Sequence, residues 1–370
     1  MSDAENIASE PGERVDLKGL LPGELREFVM QMGQENYRAQ QLQSWIFGKG
    51  VASLDEMTNL SRKFREELKE IAWVSELQKL MCRESDTGQA HKFLFQLPGG
   101  ERIESVLIVE GKRRTACLSS QVGCALDCSF CATGRMGFVR NLSAAQIVDQ
   151  LLQVDRVLQE RGERVTNVVM MGMGEPLLNY NNLVQAIQLM GLEAGPGIGG
   201  RRITVSTAGY LPGIRKLARE ELNIGLAISL NATTDELRER LMPINRKYKI
   251  ADLLEAAQEF YELRGRRVTF EYVLMAGVTD ADHDALQLAA LSRGLPCKIN
   301  LIPYNELGLQ TAYRRPSQRR LSRFVEILEA HTSVAVTVRE SRGRDIDAAC
   351  GQLFLQQGNR KINKLAAAQI

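Results

Sequence analysis

The chain has 370 residues, a formal net charge of +2, 44% hydrophobic residues and 25% charged residues, a composition typical of ordinary folded proteins. It contains no run of about 18 apolar residues, and its polar first residues lack an apolar core, so the sequence predicts neither a membrane span nor a signal peptide. Seven cysteines without an export signal favour a reducing, cytoplasmic compartment, where thiolates serve metals or redox chemistry.

The first part of the chain predicts a disordered tail followed by a small helical module. Residues 1–15 are polar and acidic, as in disordered segments. The module, residues 16–75, contains three helical patterns, at 21–32, 37–47 and 61–71. Its basic side chains are suited to RNA, and a plain packing module fits equally well. These side chains are Arg38, Lys63, Arg65 and Lys69.

Residues 76–110 alternate short apolar and polar runs, as in strands joined by hairpin turns. The runs are broken at Asp86-Thr87-Gly88 and at Pro98-Gly99-Gly100. We expect this segment to be a β linker or hairpin that leads into the main domain. Glu104 lies on its last strand.

The main domain, residues 111–353, alternates apolar β-branched runs with helical patterns. Strands are expected at 115–120, 166–171, 202–206, 224–230, 268–274 and 298–302. Helices are expected at 143–162, 180–191, 211–220, 234–241, 250–263, 281–293 and 317–331. Such alternation means parallel strands with right-handed crossovers. The predicted fold class is therefore α/β, with a partial (βα)6 TIM-like barrel as first choice and a doubly wound sheet as second, and residues 354–370 form a C-terminal tail.

Three cysteines, Cys124, Cys128 and Cys131, fall within eight residues on a loop after the first expected strand. Three thiolates are one short of a closed tetrahedral zinc site, whereas on a four-iron cluster they leave one iron open. The motif resembles that of the radical S-adenosylmethionine (SAM) superfamily, in which SAM fills the open position. Structural zinc with a distant fourth ligand is the alternative, although the three histidines of the chain lie far from the motif in sequence.

Small polar residues, glycines and one acid recur at the expected carboxyl ends of the strands, where βα barrels build their sites. The turn at Gly174 and Glu175 offers a carboxylate to a ligand's ammonium group. Ser206, Ser229 and Asn305 are able to bind a carboxylate, a ribose or a base. Each of these residues alone is weak evidence for a ligand site, because glycines and small polar residues often follow a strand only to form a turn. Together on one rim they favour a SAM site.

Two more cysteines form a second candidate group. Cys117 lies in the first expected strand, where a small buried core residue is an equally good interpretation. Cys350 lies in the segment GRDIDAACGQL, whose acids and glycines do not resemble a core.

Six segments together resemble the RlmN/Cfr family of radical SAM RNA methyltransferases, and the match runs from about residue 20 to residue 353. They are SSQVGCALDCSFCATGRMGF, NVVMMGMGEPLLN, RRITVSTAG, LMPINRKY, CKINLIPYN and RGRDIDAACGQL. The chain looks more like the RlmN enzymes, which are dual-specificity 23S rRNA and tRNA adenosine-C2 methyltransferases, than like the Cfr enzymes, which modify adenosine C8. Two alternatives stay open from the sequence. One is a Cfr-like C8 enzyme, and the other is a non-enzyme in which an iron–sulfur or zinc knot stabilises an RNA-binding module.

The resemblance implies a set of cofactors and ligands. One [4Fe–4S] cluster would be held by Cys124, Cys128 and Cys131. SAM would be held by Gly174, Glu175, Ser206, Ser229, Leu230, Asn231 and Asn305. The family usually has His where Asn231 stands, which leaves the role of this residue open. A flavodoxin- or ferredoxin-like electron donor and a cytoplasmic monomer without membrane contact are also expected.

The resemblance further implies a ping-pong reaction with two SAM molecules per turnover. The product is 2-methyladenosine, in the peptidyl-transferase region of 23S rRNA and at the adenosine 3′ of the anticodon in tRNA. One SAM methylates Cys350, and a second SAM gives the radical that activates this methyl group for addition to C2. Cys117 then releases the methylated RNA with formation of a Cys117–Cys350 disulfide, and Glu104 acts as acid and base.

Overall fold

The structure is a computed structural model that describes residues 14–307 and 312–353. The tail expected at 354–370 lies outside these ranges, as does most of the one expected at 1–15. The expected boundary of the first tail is wrong by one residue, because Val15–Asp16 forms a strand, β1, that pairs in parallel with Ala72–Trp73, β2.

Fourteen strands and eleven α-helices are found in the described ranges. The other strands are β3 (Gln78–Glu84), β4 (Ala90–Gln96), β5 (Arg102–Glu110), β6 (Arg113–Cys117), β7 (Gln121–Gly123), β8 (Phe138–Asn141), β9 (Asn167–Met170), β10 (Ile203–Thr207), β11 (Gly225–Ser229), β12 (Val268–Leu274), β13 (Cys297–Pro303) and β14 (Ala335–Val338). The helices are α1 (Pro22–Gln31), α2 (Tyr37–Gln43), α3 (Arg62–Ile71), α4 (Ala132–Arg135), α5 (Ala144–Gln159), α6 (Tyr180–Met190), α7 (Leu211–Arg219), α8 (Asp235–Leu241), α9 (Ile250–Arg264), α10 (Asp282–Ser292) and α11 (Gln318–His331).

A single ten-stranded sheet is the frame of the molecule. Its strand order is β14-β13-β12-β11-β10-β9-β6-β5-β4-β3. Seven of these strands, β6 and β9 to β14, pair in parallel, and they follow one another across the sheet in chain order. A doubly wound sheet would instead reverse its order at a switch point. The partial barrel is therefore confirmed, and the doubly wound alternative is wrong.

The sheet is wider than the six expected strands. A seventh parallel strand, β14, extends one edge. At the other edge the segment expected as a linker, residues 76–110, forms β3, β4 and β5, which pair antiparallel with one another and with β6. This segment is thus an integral part of the main sheet. Val106 on β5 lies directly opposite Cys117 on β6.

The N-terminal helices dock on α5 and its neighbours. Lys18 Nζ lies 2.5 Å from Asp149 Oδ1, and both side chains are buried. Of the basic side chains expected to contact RNA, Lys69 forms a 2.6 Å ion pair with Asp55, and Arg65 donates to the carbonyl of the same residue. Lys63 stays exposed. No helix within the described ranges is both long and apolar enough to cross a membrane.

Candidate active site

The cysteine loop is shaped by the small antiparallel pair of β7 and β8. At the end of β7, Gly123 has a φ of +74°, and a Cβ there would collide with the carbonyl oxygen of Gly137. The Cys124 amide donates to the same oxygen over 2.9 Å. The loop then closes through a 3.1 Å hydrogen bond from the Cys131 amide to the Cys128 carbonyl oxygen, and α4 begins at the next residue. The sequence thus folds the motif into a tight wrap.

The three motif cysteines lie near one another, with Cys124 and Cys128 buried and Cys131 partly buried. Burial raises the pKa of Cys124 to about 12 and that of Cys128 well above its usual value, and the neighbouring thiols add to both shifts. Among the described residues, however, no three His, Cys, Asp or Glu groups converge closely enough to hold one metal ion. Three thiols are one ligand short of a closed tetrahedral zinc site, whereas on a four-iron cluster they leave one iron open to a ligand, so this donor set fits the cluster better than zinc.

A cavity of about 180 Å³ that opens to solvent lies at the carboxyl edge of the parallel strands. The three motif cysteines, Cys350 and six of the seven predicted SAM-binding residues line it. The six are Gly174, Glu175, Ser206, Ser229, Asn231 and Asn305. The seventh, Leu230, has its side chain in the apolar core instead, and its carbonyl accepts from Arg238 Nε over 3.0 Å.

The turn after β9 places a carboxyl group inside this cavity. The Glu175 amide donates to Gln121 Oε1 over 2.8 Å, and its carboxylate accepts from the Ala208 amide over 2.7 Å. Burial raises the pKa of Glu175 to about 7, although backbone N–H donors oppose the shift. A ligand ammonium group at this position would stabilise the ionised carboxylate.

Gly174→Ala is expected to weaken binding of the predicted ligand, SAM, because a side chain at residue 174 would collide with Gln121. The φ of Gly174 is +98°, and a Cβ would lie 2.5 Å from the Cβ of Gln121. We expect a cost of about 1–3 kcal/mol in unfolding free energy from the strained backbone, and at least a tenfold loss of SAM affinity, in the range of a misplaced contact (about 1.4 kcal/mol or more). Equilibrium dialysis of the cluster-loaded protein measures the affinity. Gly197→Ala is the control, since its φ of +64° is also left-handed but nothing lies within 4 Å of the added carbon; an equal loss of affinity in both variants would contradict the argument.

Two asparagines organise opposite walls of the cavity. Asn231 has a left-handed φ of +58°, which Asn tolerates better than most residues. Its side chain accepts from the Val273 amide over 3.0 Å and lies 3.4 Å from Met242 Sδ, so it holds the turn after β11. Asn305 Nδ2 donates to the Cys350 carbonyl oxygen over 3.1 Å. Among the described residues Asn305 Oδ1 is buried without a partner, which leaves it available to a ligand donor.

Cys350 lines the cavity, and Cys117 is buried on β6 behind it. The Cys350 segment is fastened to the cysteine loop, because the Ala132 amide donates to Gly351 O over 2.8 Å. Cys117 on β6 is buried, and both residues are free thiols. Burial raises the pKa of Cys117 to about 12, the nearby Cys350 raises it further, and Arg339 opposes the shift. The two sulfur atoms are thus close enough to influence each other electrostatically.

Sequence reasoning missed two charged residues near the cavity. Arg339 Nη1 lies 3.6 Å from Met171 Sδ, and the charge of Cys350 is the main cause of the raised pKa of Arg339. Glu271 on β12 lines the cavity, and its Oε2 is buried without a partner among the described residues. Burial raises the pKa of Glu271. A lone acid in the apolar run VTFEYVL is the signal in the sequence that points to it.

Glu104 lies on β5, beside the cavity rather than in its lining. Its carboxylate forms a buried 2.7 Å ion pair with Lys92 on β4. Its carbonyl oxygen accepts from Ser119 Oγ over 2.6 Å, which ties β5 to the segment that precedes the cysteine loop. The structure thus gathers the predicted residues around one cavity, with Leu230, Cys117 and Glu104 set behind its wall.

Two family models match the chain. The radical SAM superfamily model matches residues 118–289. The model of the ribosomal RNA large subunit methyltransferase N-terminal domain matches residues 15–74.

Relatives and a solved structure match over nearly the full length. The chain is 48% identical over 354 residues to the dual-specificity RNA methyltransferase RlmN of an Anaeromyxobacter species, covering 94% of this chain and 93% of the relative. It is 47% identical over 340 residues to the protein of the same name from Geobacter sulfurreducens, covering 92% of each. The crystal structure of a radical SAM methyltransferase from Sphaerobacter thermophilus superimposes with a TM-score of 0.88 at 44% identity, covering 92% of this chain and 99% of that one.

Proposed function

The chain belongs to the RlmN family of radical SAM RNA methyltransferases, and we propose that it forms 2-methyladenosine in 23S rRNA and in tRNA. The observation that carries this proposal is the meeting of the three motif cysteines and Cys350 in one cavity, with Cys117 behind it. Membership of the superfamily implies a [4Fe–4S] cluster and SAM, and the relatives are named as RNA methyltransferases.

The cavity residues divide between the two cofactors. Cys124, Cys128 and Cys131 hold the cluster through their thiolates. Glu175 receives the ammonium group of SAM, and Ser206, Ser229 and Asn305 bind its polar groups. When bound, the cluster supplies the electron for reductive cleavage of SAM, which gives access to radical chemistry at adenine C2, a carbon that has no lone pair for displacement. The protein contributes by holding these groups in register and by excluding water.

Cys350 carries the methyl group. Its sulfur attacks the methyl carbon of one SAM and displaces S-adenosylhomocysteine, so that a new S–C bond forms, the thiol proton leaves, and the electron pair of the broken bond departs with S-adenosylhomocysteine. The radical chemistry that the second SAM would supply removes one hydrogen atom from this methyl group, so that its carbon can add to C2. The unpaired electron left on the base would return to the cluster, and Glu104 would take the proton from C2. Two SAM molecules are used per turnover, one for the methyl group and one for the radical.

Cys117 releases the product. Its thiolate attacks Cys350 Sγ, so that a disulfide forms while the bond from Cys350 to the RNA-borne carbon breaks, and that carbon keeps the electron pair and takes a proton. An external dithiol then reduces the disulfide. Burial disfavours the thiolate of Cys117, and the positive charge of Arg339 beside it favours that thiolate.

The proposed partners follow from this chemistry. A flavodoxin- or ferredoxin-like protein supplies electrons, and the reduced state of Cys117 and Cys350 between turnovers requires a reducing compartment, for which we propose the cytoplasm. The N-terminal module, which carries the exposed Lys63 and also Arg38, is proposed to contact RNA. We propose that the enzyme acts as a monomer.

Deletion of the gene is expected to remove 2-methyladenosine from both 23S rRNA and tRNA, because the proposal assigns the methylation of C2 in both RNAs to this one enzyme. Mass spectrometry of nucleosides from each purified RNA measures the modification, and an intact copy of the gene should restore it. Loss of 8-methyladenosine instead would support the Cfr-like alternative. No change in either nucleoside would refute an RNA methyltransferase function.

A further inference from the structure

Lys92 is a buried cation outside both cofactor sites. It lies on β4, next to β5, and its side chain and that of Glu104 are 8% and 5% exposed. Its ammonium group contacts two oxygen atoms of different origin. Glu104 Oε1 lies 2.7 Å away, and the main-chain oxygen of Asp347 lies 3.0 Å away. The second contact reaches a residue 255 positions further along the chain, three residues before Cys350.

The segment that carries Cys350 contacts β4 and the β3–β4 turn at further points. The amide of Asp86, in the β3–β4 turn, donates to Asp345 Oδ2 over 2.8 Å. Gly343 has a φ of +70° and packs so closely on β4 that a Cβ would lie 2.7 Å from that of Ala90. Asp347 itself has a left-handed φ of +54°. Such a conformation persists only where its surroundings hold it, and the contact from Lys92 is one of these restraints.

We propose that Lys92 is a positioning residue that fixes the carboxylate of Glu104 and the Cys350 loop relative to each other. The inference rests on the proposed function, because it takes Glu104 and Cys350 as the acid/base and the methyl carrier. A single ammonium group that bonds both partners sets their separation, so that neither moves without the other. Neither cofactor contacts this group in the proposal, so its effect is transmitted entirely through these two partners.

The charge and the length of the side chain both matter to this role. Removing one partner of a buried ion pair leaves the other as an uncompensated buried charge, which favours rearrangement. Lys92→Met keeps the apolar stem and removes the charge and all donors. Lys92→Arg keeps the charge and offers donors to both oxygens. If Lys92 has a positioning role, Lys92→Arg is therefore expected to recover much of the activity that Lys92→Met loses.

The chain offers a matched control in Lys18, a second buried lysine. Lys18 lies in the N-terminal module, and its Nζ is 2.5 Å from Asp149 Oδ1 on α5. Among the contacts that the structure describes, Lys18 makes none with the Cys350 segment. Lys18→Met therefore breaks a buried ion pair of the same kind away from the cavity. Melting temperatures of all variants show whether stability losses are matched.

The test uses cluster-loaded protein under anaerobic conditions with two measurements. The first is the rate at which iodoacetamide alkylates Cys350, followed by peptide mass spectrometry. We expect Lys92→Met to raise this rate about tenfold as the loop loosens, Lys92→Arg to raise it less, and Lys18→Met to leave it unchanged. The second is steady-state methylation of RNA. We expect kcat of Lys92→Met to fall about 100-fold, the effect of a misplacement of about 1 Å, with KM for SAM unchanged and with most of kcat restored in Lys92→Arg.

Each outcome decides the inference. Wild-type alkylation and kcat in Lys92→Met would overturn it, and so would equal effects of Lys92→Met and Lys18→Met, which would mark a merely structural ion pair. If the wild-type protein makes no 2-methyladenosine, the proposed function fails, and the alkylation measurement still tests the attachment of the loop to Lys92.

Discussion

Cys350→Ala is expected to abolish RNA methylation while the protein still folds and binds its cluster. The side chain lines the cavity and is only partly buried, so its loss leaves no large void. In the proposed mechanism, loss of this sulfur leaves no carrier for the methyl group. Among the described residues, no other thiol lines the cavity except the three proposed cluster ligands. We expect a fall in activity on the order of 10⁴-fold or more, as when a covalent nucleophile is removed.

Transfer of a labelled methyl group from SAM, first to protein and then to RNA, measures this loss. Both signals should vanish in Cys350→Ala, while the absorbance of the cluster stays at the wild-type level. Cys82→Ala is the control, because Cys82 is an exposed cysteine on β3. Methylated RNA from Cys350→Ala at a rate near wild type would mean that the methyl group travels by another route.

Cys117→Ala is expected to trap a covalent protein–RNA adduct. Cys117 is buried on β6 behind the cavity, close enough to Cys350 for their charges to interact. In the proposed mechanism, methylation of Cys350 and joining of its carbon to the adenine do not need Cys117, whereas release does. The adduct should therefore accumulate to near one equivalent per active site, and turnover should stop after the first round.

A denaturing gel that separates free protein from protein bound to RNA measures the adduct. Cys297→Ala is the matched control, since Cys297 is also a buried strand cysteine whose pKa burial raises, to about 11. The double variant Cys117→Ala/Cys350→Ala should form no adduct. Free turnover by Cys117→Ala would remove Cys117 from the release step.

The sequence predicted the parallel strands well because burial on both faces makes each a nearly continuous apolar run. All six were found, and β12 matches to the residue. The strand β14 escaped prediction because it is a short edge strand with mostly exposed side chains. The antiparallel strands were recognised as strands, but their pairing was not, because periodicity within a segment carries no information about its neighbour across the sheet.

The candidate site was predictable where the chemistry lies in one short stretch. The cysteine motif and the turn at Gly174 and Glu175 are of this kind. Lys92 was not predictable, because its two partners are brought together only by the fold. The role of Asn231 could not be read from the sequence, because it depends on the backbone conformation. Asn231 has a left-handed φ of +58°, and its side chain accepts a hydrogen bond from the Val273 amide, so it holds the turn after β11.

The large sequence separation between β4 and the Cys350 segment also affects the order in which the parts of the protein fold. The Asp86–Asp345 contact joins positions 259 residues apart, and closing so long a loop is disfavoured until the sheet that receives it exists. During synthesis the N-terminal part of a chain also folds first. We therefore expect the cysteine motif to be displayed on a formed sheet before the C-terminal thiol closes over it. In this order of assembly, the cysteine motif is accessible to iron and sulfide before the segment that carries Cys350 packs against it.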